Sequence, residues 1–590
     1  MKTRHILALI IALTFPHFAR AQSTQDIINQ QDWITRNQQN KLDEEKITKE
    51  QETIRKERER RKKDEENLGE DLSQKKSKSP QCFLINDISL RDATLISARQ
   101  QKKILQPFLG QCFDSKKMLE LVEEVSKFYQ SKGYASVQVL VPKQNIHQGK
   151  LELKIIEGKI EEIILNDNST LDKMQEFTAF GNLEDEYLDL ADINQGLYQI
   201  NRLPSNHAVM KIEPGINEGQ SKVYVQNQRT LPLRASVGYD NLGNKFTGVN
   251  RTNFSGGFDN LLFLNDSTNL SYSTNLNDKN SAKNINAFSG SFSIPFRYYT
   301  ATFDYSKSDF LGTTPGVSGP LKLSGFSNRK SFTLDRVLLN SGNFRLAAST
   351  SLTQKESASY LNQQRIDTSQ RKLTIANLAF SLSNYFDNGI SLYLRPSFSL
   401  GTKMLNAKQD DPNSSAATPR AQFQLMKIYA AISKKFTLPK INAPVVLATE
   451  MDSQISKDTL FGSEQFMVGG YYSVRGFREN YLVGDSGYYF RNKATFNVGS
   501  LMLPMIGENR GNFVYLNRFK IEPFYDYGHT QTRFNNSGGR LAGAGVKTIF
   551  ESRYFNASLT YSAATNRSHL LNNNQKENKL IYFELSASCC

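Results

Sequence analysis

The residues best able to do chemistry lie together in Gly469–Lys493, which reads GGYYSVRGFRENYLVGDSGYYFRNK. Within it, Val474-Arg475-Gly476-Phe477 sets one cation between apolar neighbours. A guanidinium buried without a partner is very costly, so a tip of this kind, if inserted anywhere, demands a carboxylate in return. Gly469, Gly470, Gly476, Gly484 and Gly487 permit backbone angles that other residues avoid, and let the stretch fold on itself. A loop this long without its own secondary structure is usually functional or disordered. The chemistry on offer is charge pairing, not bond making. The six histidines (His5, His17, His147, His207, His529 and His569) form no HExxH, and neither a phosphate loop nor a nucleophile elbow occurs. No enzyme, cofactor or metal site is expected.

VRGF followed by GDSGYYFRN resembles the signature loop of the Omp85 superfamily, and in detail that of the two-partner-secretion transporters of the outer membrane. In that family the loop folds from the outer surface back into a β-barrel lumen, and its arginine meets an aspartate on the barrel wall. The resemblance implies a lumen loop over residues 461–493, with Val474, Arg475, Gly476, Phe477, Gly484, Asp485, Gly487 and Arg491 as its motif residues. It implies Asp526, within Ile521-Glu522-Pro523-Phe524-Tyr525-Asp526-Tyr527-Gly528, as the wall partner. Lys493 departs from the family, which carries an acidic residue at that place.

The elements that must position these residues follow from composition and pattern. A chain of 590 residues calls for several domains. Mean hydropathy is −0.50, yet 37 Phe and 25 Tyr are present, as when only alternate residues of a strand face lipid. From 229 to 590 short alternating segments recur: Tyr299, Ala301, Phe303 and Tyr305 against Thr300, Thr302, Asp304 and Ser306 is one, and Leu392 to Leu400 and Phe555 to Ala563 are others. Asp387-Asn388-Gly389 and Ser341-Gly342-Asn343 supply tight turns. The fold class expected is mainly β, a transmembrane antiparallel barrel of about sixteen strands. Ile581, Phe583, Leu585 and Ala587 pattern the last strand; the chain then ends Cys589-Cys590, where such barrels usually end in an aromatic residue.

Ahead of the barrel, residues 1–21 read as a signal peptide with Ala19-Arg20-Ala21 at its cleavage site. Removing Lys2, Arg4 and Arg20 takes the formal charge from +15 to +12, and an exported basic chain has little access to nucleic acid. Residues 22–41 contain a helical segment, Asp26 to Gln39, with the only tryptophan, Trp33. Residues 42–81 alternate acidic and basic blocks and end in SQKKSKSP, a charged linker in helical or flexible form. Residues 82–158 read as a β-α-α-β-β unit, with a strand from Phe83 to Leu90, a helix from Ser115 to Lys132 striped by Leu119, Val122, Val125 and Tyr129, and Gly133 as its C-cap residue. Cys82 and Cys112 fall in it, in a compartment where disulfides form. Residues 159–228 repeat the plan.

PFLGQC, GYASVQVLVPKQ, GKLELKIIEG and INQGLYQINRLPSN resemble the POTRA domains of the same transporters, which makes 82–158 and 159–228 two α+β POTRA domains and 22–41 a helix that plugs the barrel. A small sheet with an open edge can accept an extended chain, so Val139 and Leu153 are expected in substrate-capture strands. The function the resemblance implies is export of a large secreted partner protein, an adhesin, haemolysin or contact-dependent inhibition toxin, from the periplasm to the surface of a Gram-negative cell. An insertase that assembles other outer-membrane proteins is the alternative, although its relatives carry more POTRA units and lack the plug. Outer-membrane lipids, lipopolysaccharide, the barrel-assembly machinery and periplasmic chaperones are the other expected partners.

Overall fold

A computed structural model describes residues 24–67, 82–275, 283–316, 319–439, 443–499, 518–534, 538–571 and 579–589. The expected signal peptide and the SQKKSKSP segment lie outside them. The alternating segments form a closed barrel of sixteen antiparallel strands, each paired with its neighbours in chain order. The last strand, Lys579–Cys589, pairs with the first, Leu233–Asp240, from Glu584 against Asp240 to Cys589 against Ala235. Closure removes the free edges that a sheet of this size would otherwise expose. Phe303, Phe398, Leu559, Ile581 and Leu585 stand exposed on the outer face. Thr302, Asp304 and Ser306 line the inside, and small hydroxyls bridge neighbouring strands there, as in Ser271–Ser289 at 2.7 Å and Ser331–Thr353 at 2.8 Å. Gly342 and Gly389 close tight turns at φ +47° and +80°, a region that favours glycine. These short turns mark one end of the barrel, where the small domains pack.

The first small domain holds one sheet in which Lys150–Ile156 is central, parallel to Asp87–Arg91 and antiparallel to Gln138–Leu140. The expected strand from Phe83 to Leu90 is in fact two. Phe83–Ile85 turns aside to pair with Gln111–Phe113, and Asp87–Arg91 joins the main sheet. Cys82 and Cys112 form a disulfide across that small pair, with Cα atoms 5.4 Å apart. Helices α2 (Ala98–Leu105) and α3 (Ser115–Ser131) cover the sheet. The buried stripe of α3 is Leu121, Val125 and Tyr129, and Leu119 is exposed: the apolar face is rotated from the expected one, because Leu121 meets the core of Leu151, Leu153 and Ile155. In the second domain Gln220–Arg229 is central between Lys159–Leu165 and Asn206–Pro214, packed by α4 (Thr170–Phe180) and α5 (Leu190–Asn201). The Gln195 and Gln199 side chains of α5 donate to the carbonyl of Arg297 at 3.0 and 2.7 Å, and Tyr298 donates to Asp192 at 2.8 Å, which fixes the domain on a barrel turn.

Helix α1 spans Thr24–Asn67, 44 residues. The expected boundary at 41 between plug and linker is absent, since the helix continues through the alternating charges. The physical reason is that the barrel wall answers them. Lys46 faces Asp304 at 3.6 Å, Glu50 accepts from Tyr393 at 2.8 Å, and Arg58 donates to Asn343 at 2.9 Å and stacks on Tyr385. From Gln31 to Arg58 the rise of an α-helix gives about 40 Å, enough to thread a hydrocarbon core of about 30 Å.

Candidate functional site

The site is the lumen, filled by α1 and by the connection between the strands Ala443–Ser456 and Ser486–Asn497. That connection has structure of its own: a short helical turn at Gly462–Glu464 and a two-stranded ribbon, Phe466–Val468 with Leu482–Gly484. The loop is therefore 457–485 and not 461–493. Gly487 and Arg491, expected in it, belong to the wall strand, where the run of residues after Asp485 pairs on both sides.

Between the two ribbon strands the chain doubles back into the lumen. Val474 and Phe477 are fully buried against Phe466, Val468, Leu482 and Leu541. Gly476 adopts φ +107° and passes so close to the wall that a Cβ there would lie 2.9 Å from the Ala563 carbonyl carbon. This places Arg475 on Asp526. Its Nε and Nη2 donate to the two carboxylate oxygens at 2.7 and 2.8 Å, and its backbone N–H adds a third bond at 3.1 Å. Exposure is 2 % for Arg475 and 0 % for Asp526. The guanidinium carbon lies 3.4 Å from the centre of the Phe524 ring, so one face of the cation is closed by an aromatic. Asp485, at the end of the loop, ties it to its start and to the turn after the strand Phe519–Gln531: its carboxylate accepts from the N–H groups of Leu460 and Arg533, each at 2.8 Å.

Arg491 stands directly across from Asp526 on the neighbouring strand and donates to Glu44 of α1 at 2.9 Å. Arg491 also approaches Glu450 at 3.7 Å, and Glu450 holds Lys493 at 2.9 Å. Lys493 thus has a place: it neutralises a wall carboxylate. Three cations and three carboxylates join loop, wall and α1 in one network, buried at Arg475 and Asp526 and partly open at Glu44 and Lys493, and one of the carboxylates, Glu44, belongs to the helix. Nearer the N-terminus of α1, Asp32 receives both prongs of Arg371, at 2.5 and 3.2 Å. Trp33 and Ile34 pack on Ile285, Phe310, Leu323 and Met467, and Trp33 lies 6.1 Å from the Tyr481 ring. A cavity of about 1000 Å³ remains beside the helix.

Sequence reasoning named Arg475 and Asp526 and missed Asp32, Glu44, Arg371, Glu450 and Phe524. Asp32 and Arg371 are 339 residues apart and Glu44 and Arg491 447 apart, while Glu450 and Phe524 meet their partners across neighbouring strands or through the folded loop, so no spacing rule could find them. His529 bonds the Gly539 carbonyl at 2.9 Å through Nδ1, an ordinary strand-edge contact. Val139 lies on an edge strand, whereas Leu153 lies in the central strand with both backbone sides paired, so it cannot accept an added chain. Among the described residues no group of three or more His, Cys, Asp or Glu could hold a metal ion, and no helix is long and apolar enough to cross a membrane.

A barrel with an apolar outer belt, a plugged hydrophilic lumen and two small domains at its short-turn end defines an outer-membrane transporter with periplasmic domains. Comparison with known proteins makes this specific. The family model of the haemolysin secretion/activation protein ShlB/FhaC/HecB matches residues 219–548. A ShlB-type POTRA model matches 83–158 and a further POTRA model 159–214. The chain is 30 % identical over 481 residues to the outer membrane transporter CdiB of Dickeya dadantii, covering 81 % of this chain and 82 % of that one. It is 28 % identical to the hemolysin transporter protein ShlB of Serratia marcescens over 491 residues, 82 % of each. The solved structure of CdiB from Escherichia coli superposes with a TM-score of 0.79 at 24 % identity, over 97 % of this chain and all of that one. The chain belongs to the ShlB/FhaC/HecB family: it is a two-partner-secretion transporter of the Omp85 superfamily, seated in the outer membrane with its POTRA domains in the periplasm.

Proposed function

We propose that the exported partner is captured as an extended segment on the free edges of the POTRA sheets, and that it leaves through the lumen once α1 has withdrawn. The observation that carries this reading is the electrostatic match along α1. Among the described residues the buried apolar contacts of the helix are confined to the Trp33 cluster and Ile54, and Asp32, Glu44, Lys46, Glu50 and Arg58 meet the wall through charged or polar groups that can exchange for water. When α1 departs it takes Glu44 from the network, and Arg491 is left with Glu450 and Asp526. That change loosens the hold of Asp526 on Arg475 and lets the loop shift. The chain has no motor of its own, and folding of the partner outside supplies the direction. The partner is a large exoprotein of the adhesin, haemolysin or contact-dependent inhibition toxin type. Periplasmic chaperones deliver it and the barrel-assembly machinery inserts the transporter; lipopolysaccharide and phospholipid surround the apolar belt.

The test is a reversible lock. A Cβ added at Gly462 would lie 2.5 Å from Cγ of Asp32. The Cβ atoms of a cysteine pair at 32 and 462 would then fall within about 4 Å, disulfide range. Oxidised Asp32→Cys/Gly462→Cys transporter should stop secreting its partner, and reductant should restore export to the level of the Asp32→Cys single variant. Secretion through the oxidised, fully cross-linked protein would mean that α1 need not leave.

A further inference from the structure

Helix α4 presents two faces of different character. Asp172, Gln175, Thr178, Ala179 and Phe180 are buried against the domain and the barrel. Leu171, Met174 and Phe177, spaced three apart on one stripe, are 44, 39 and 55 % exposed. The stripe does not end in open solvent. The Phe177 ring lies 5.5 Å from that of Phe296, the last residue of the strand Asn284–Phe296. On this strand Ser289 and Ser291 line the lumen, so Phe288, Phe296 and the other even positions face outward, and Phe296 is the final lipid-facing residue before the periplasmic turn.

A second apolar group is bolted to the same helix. In the turn between the strands Arg251–Asp259 and Ser267–Thr274, Leu261, Leu262 and Phe263 are all exposed. The Asp266 carboxylate accepts from the N–H groups of Leu261 and Leu262 at 3.0 and 2.9 Å, so the turn is built to hold them out. The Asn265 amide donates to the Gln175 carbonyl and to the Thr178 hydroxyl of α4 at 2.7 and 2.9 Å. Turn and helix therefore move as one body.

We propose that this apolar shelf is a membrane anchor: α4 and the 260–266 turn insert their side chains among the acyl chains of phospholipid in the periplasmic leaflet of the outer membrane. Continuity with the barrel's lipid belt through Phe177 and Phe296 selects lipid over other occupants. An extended partner would bind a sheet edge, which α4 does not offer. Exposed Lys173 beside the stripe suits lipid phosphate, as on other helices that lie in an interface. The anchor gives the second POTRA domain a support outside the barrel and fixes the direction of its free edge strand, Asn206–Pro214, relative to the pore.

The experiment is photo-crosslinking in the full-length protein in outer membranes. A benzophenone amino acid replaces Met174, and in a separate strain it replaces Leu119, an exposed apolar residue of the first POTRA domain. Irradiation should add the mass of one phospholipid to the α4 peptide and none to the Leu119 peptide. Adding Phe177→Glu to the Met174 strain should abolish that adduct while the heat-modifiable mobility of the folded barrel persists. Equal lipid labelling at both positions, or cross-linking at 174 to the secreted partner or to a second copy, would overturn the proposal.

Discussion

The Arg475–Asp526 pair can be broken in two independent ways, and the two should agree. Removing either partner leaves the other charged and buried, at a cost of about 3–5 kcal/mol, against about 0–1 for an exposed pair. Arg475→Ala and Asp526→Ala should each release the loop tip and lose most secretion, and the double variant should be little worse than either. Arg475→Lys should recover only part, because lysine cannot reproduce the contacts at 2.7 and 2.8 Å together. Gly543 offers a route that touches neither charge. A Cβ at Gly543 would sit 1.7 Å from the Arg475 carbonyl oxygen. Carbon and oxygen approach to no less than about 3.3 Å, so in Gly543→Ala the tip must retreat by roughly 1.5 Å. That stretches both side-chain bonds past about 3.5 Å, beyond hydrogen-bond range. Gly543→Ala should therefore copy Asp526→Ala in secreted partner, measured at matched barrel levels, and should add little to it when the two are combined. Strictly additive losses for Arg475→Ala with Asp526→Ala, or full secretion by Gly543→Ala, would refute the reasoning.

Deleting Thr24 to Lys41 should raise single-channel conductance in planar bilayers, because it removes the Asp32 and Trp33 contacts that fill the lumen; unchanged conductance would show that this part of α1 does not obstruct the pore. The Cys82–Cys112 bridge closes a sequence separation of 30, and losing it should cost the first POTRA domain about 3–4 kcal/mol, read as faster hydrogen exchange in α3. Burial, aided by repulsion from Glu184, pushes the Glu176 carboxyl up to about 7. The folded domain then binds this proton more tightly than the unfolded chain does, so the stability it contributes is present at acid pH and lost as pH rises from about 4.5 through 7. Intrinsic-rate-corrected exchange in α4 should quicken from pH 5 to pH 7.5, and Glu176→Gln should flatten that trend. Proline at Val139 should cut secretion while barrel insertion persists, since it removes a donor from an edge strand; normal secretion would make that strand a spacer.

Much of this protein was legible in one dimension because its patterns are local. A strand with one face in lipid and the other in a polar lumen must alternate, and Tyr299 to Ser306 does so whatever lies beside it. The turns at Gly342 and Gly389 need a glycine where they occur, and the apolar cover of Val474 and Phe477 around Arg475 announces a buried cation in need of a carboxylate. The sequence could not decide what the charges between Asp43 and Glu66 do. Taken alone, alternating Glu and Lys suit a solvated helix, and solvation was a sound expectation. Only closure of the barrel brings Arg491, Tyr393, Asp304 and Asn343 around that helix and turns a water-facing surface into a lining. The same holds for Arg491 itself, which reads as part of a loop but is placed on the wall by strand pairing, across from Asp526. Coulomb attraction acts over ångströms of space, not over positions in a chain. Which wall residues the charges of α1 meet was therefore settled by the barrel's closure and by the course of α1 through it.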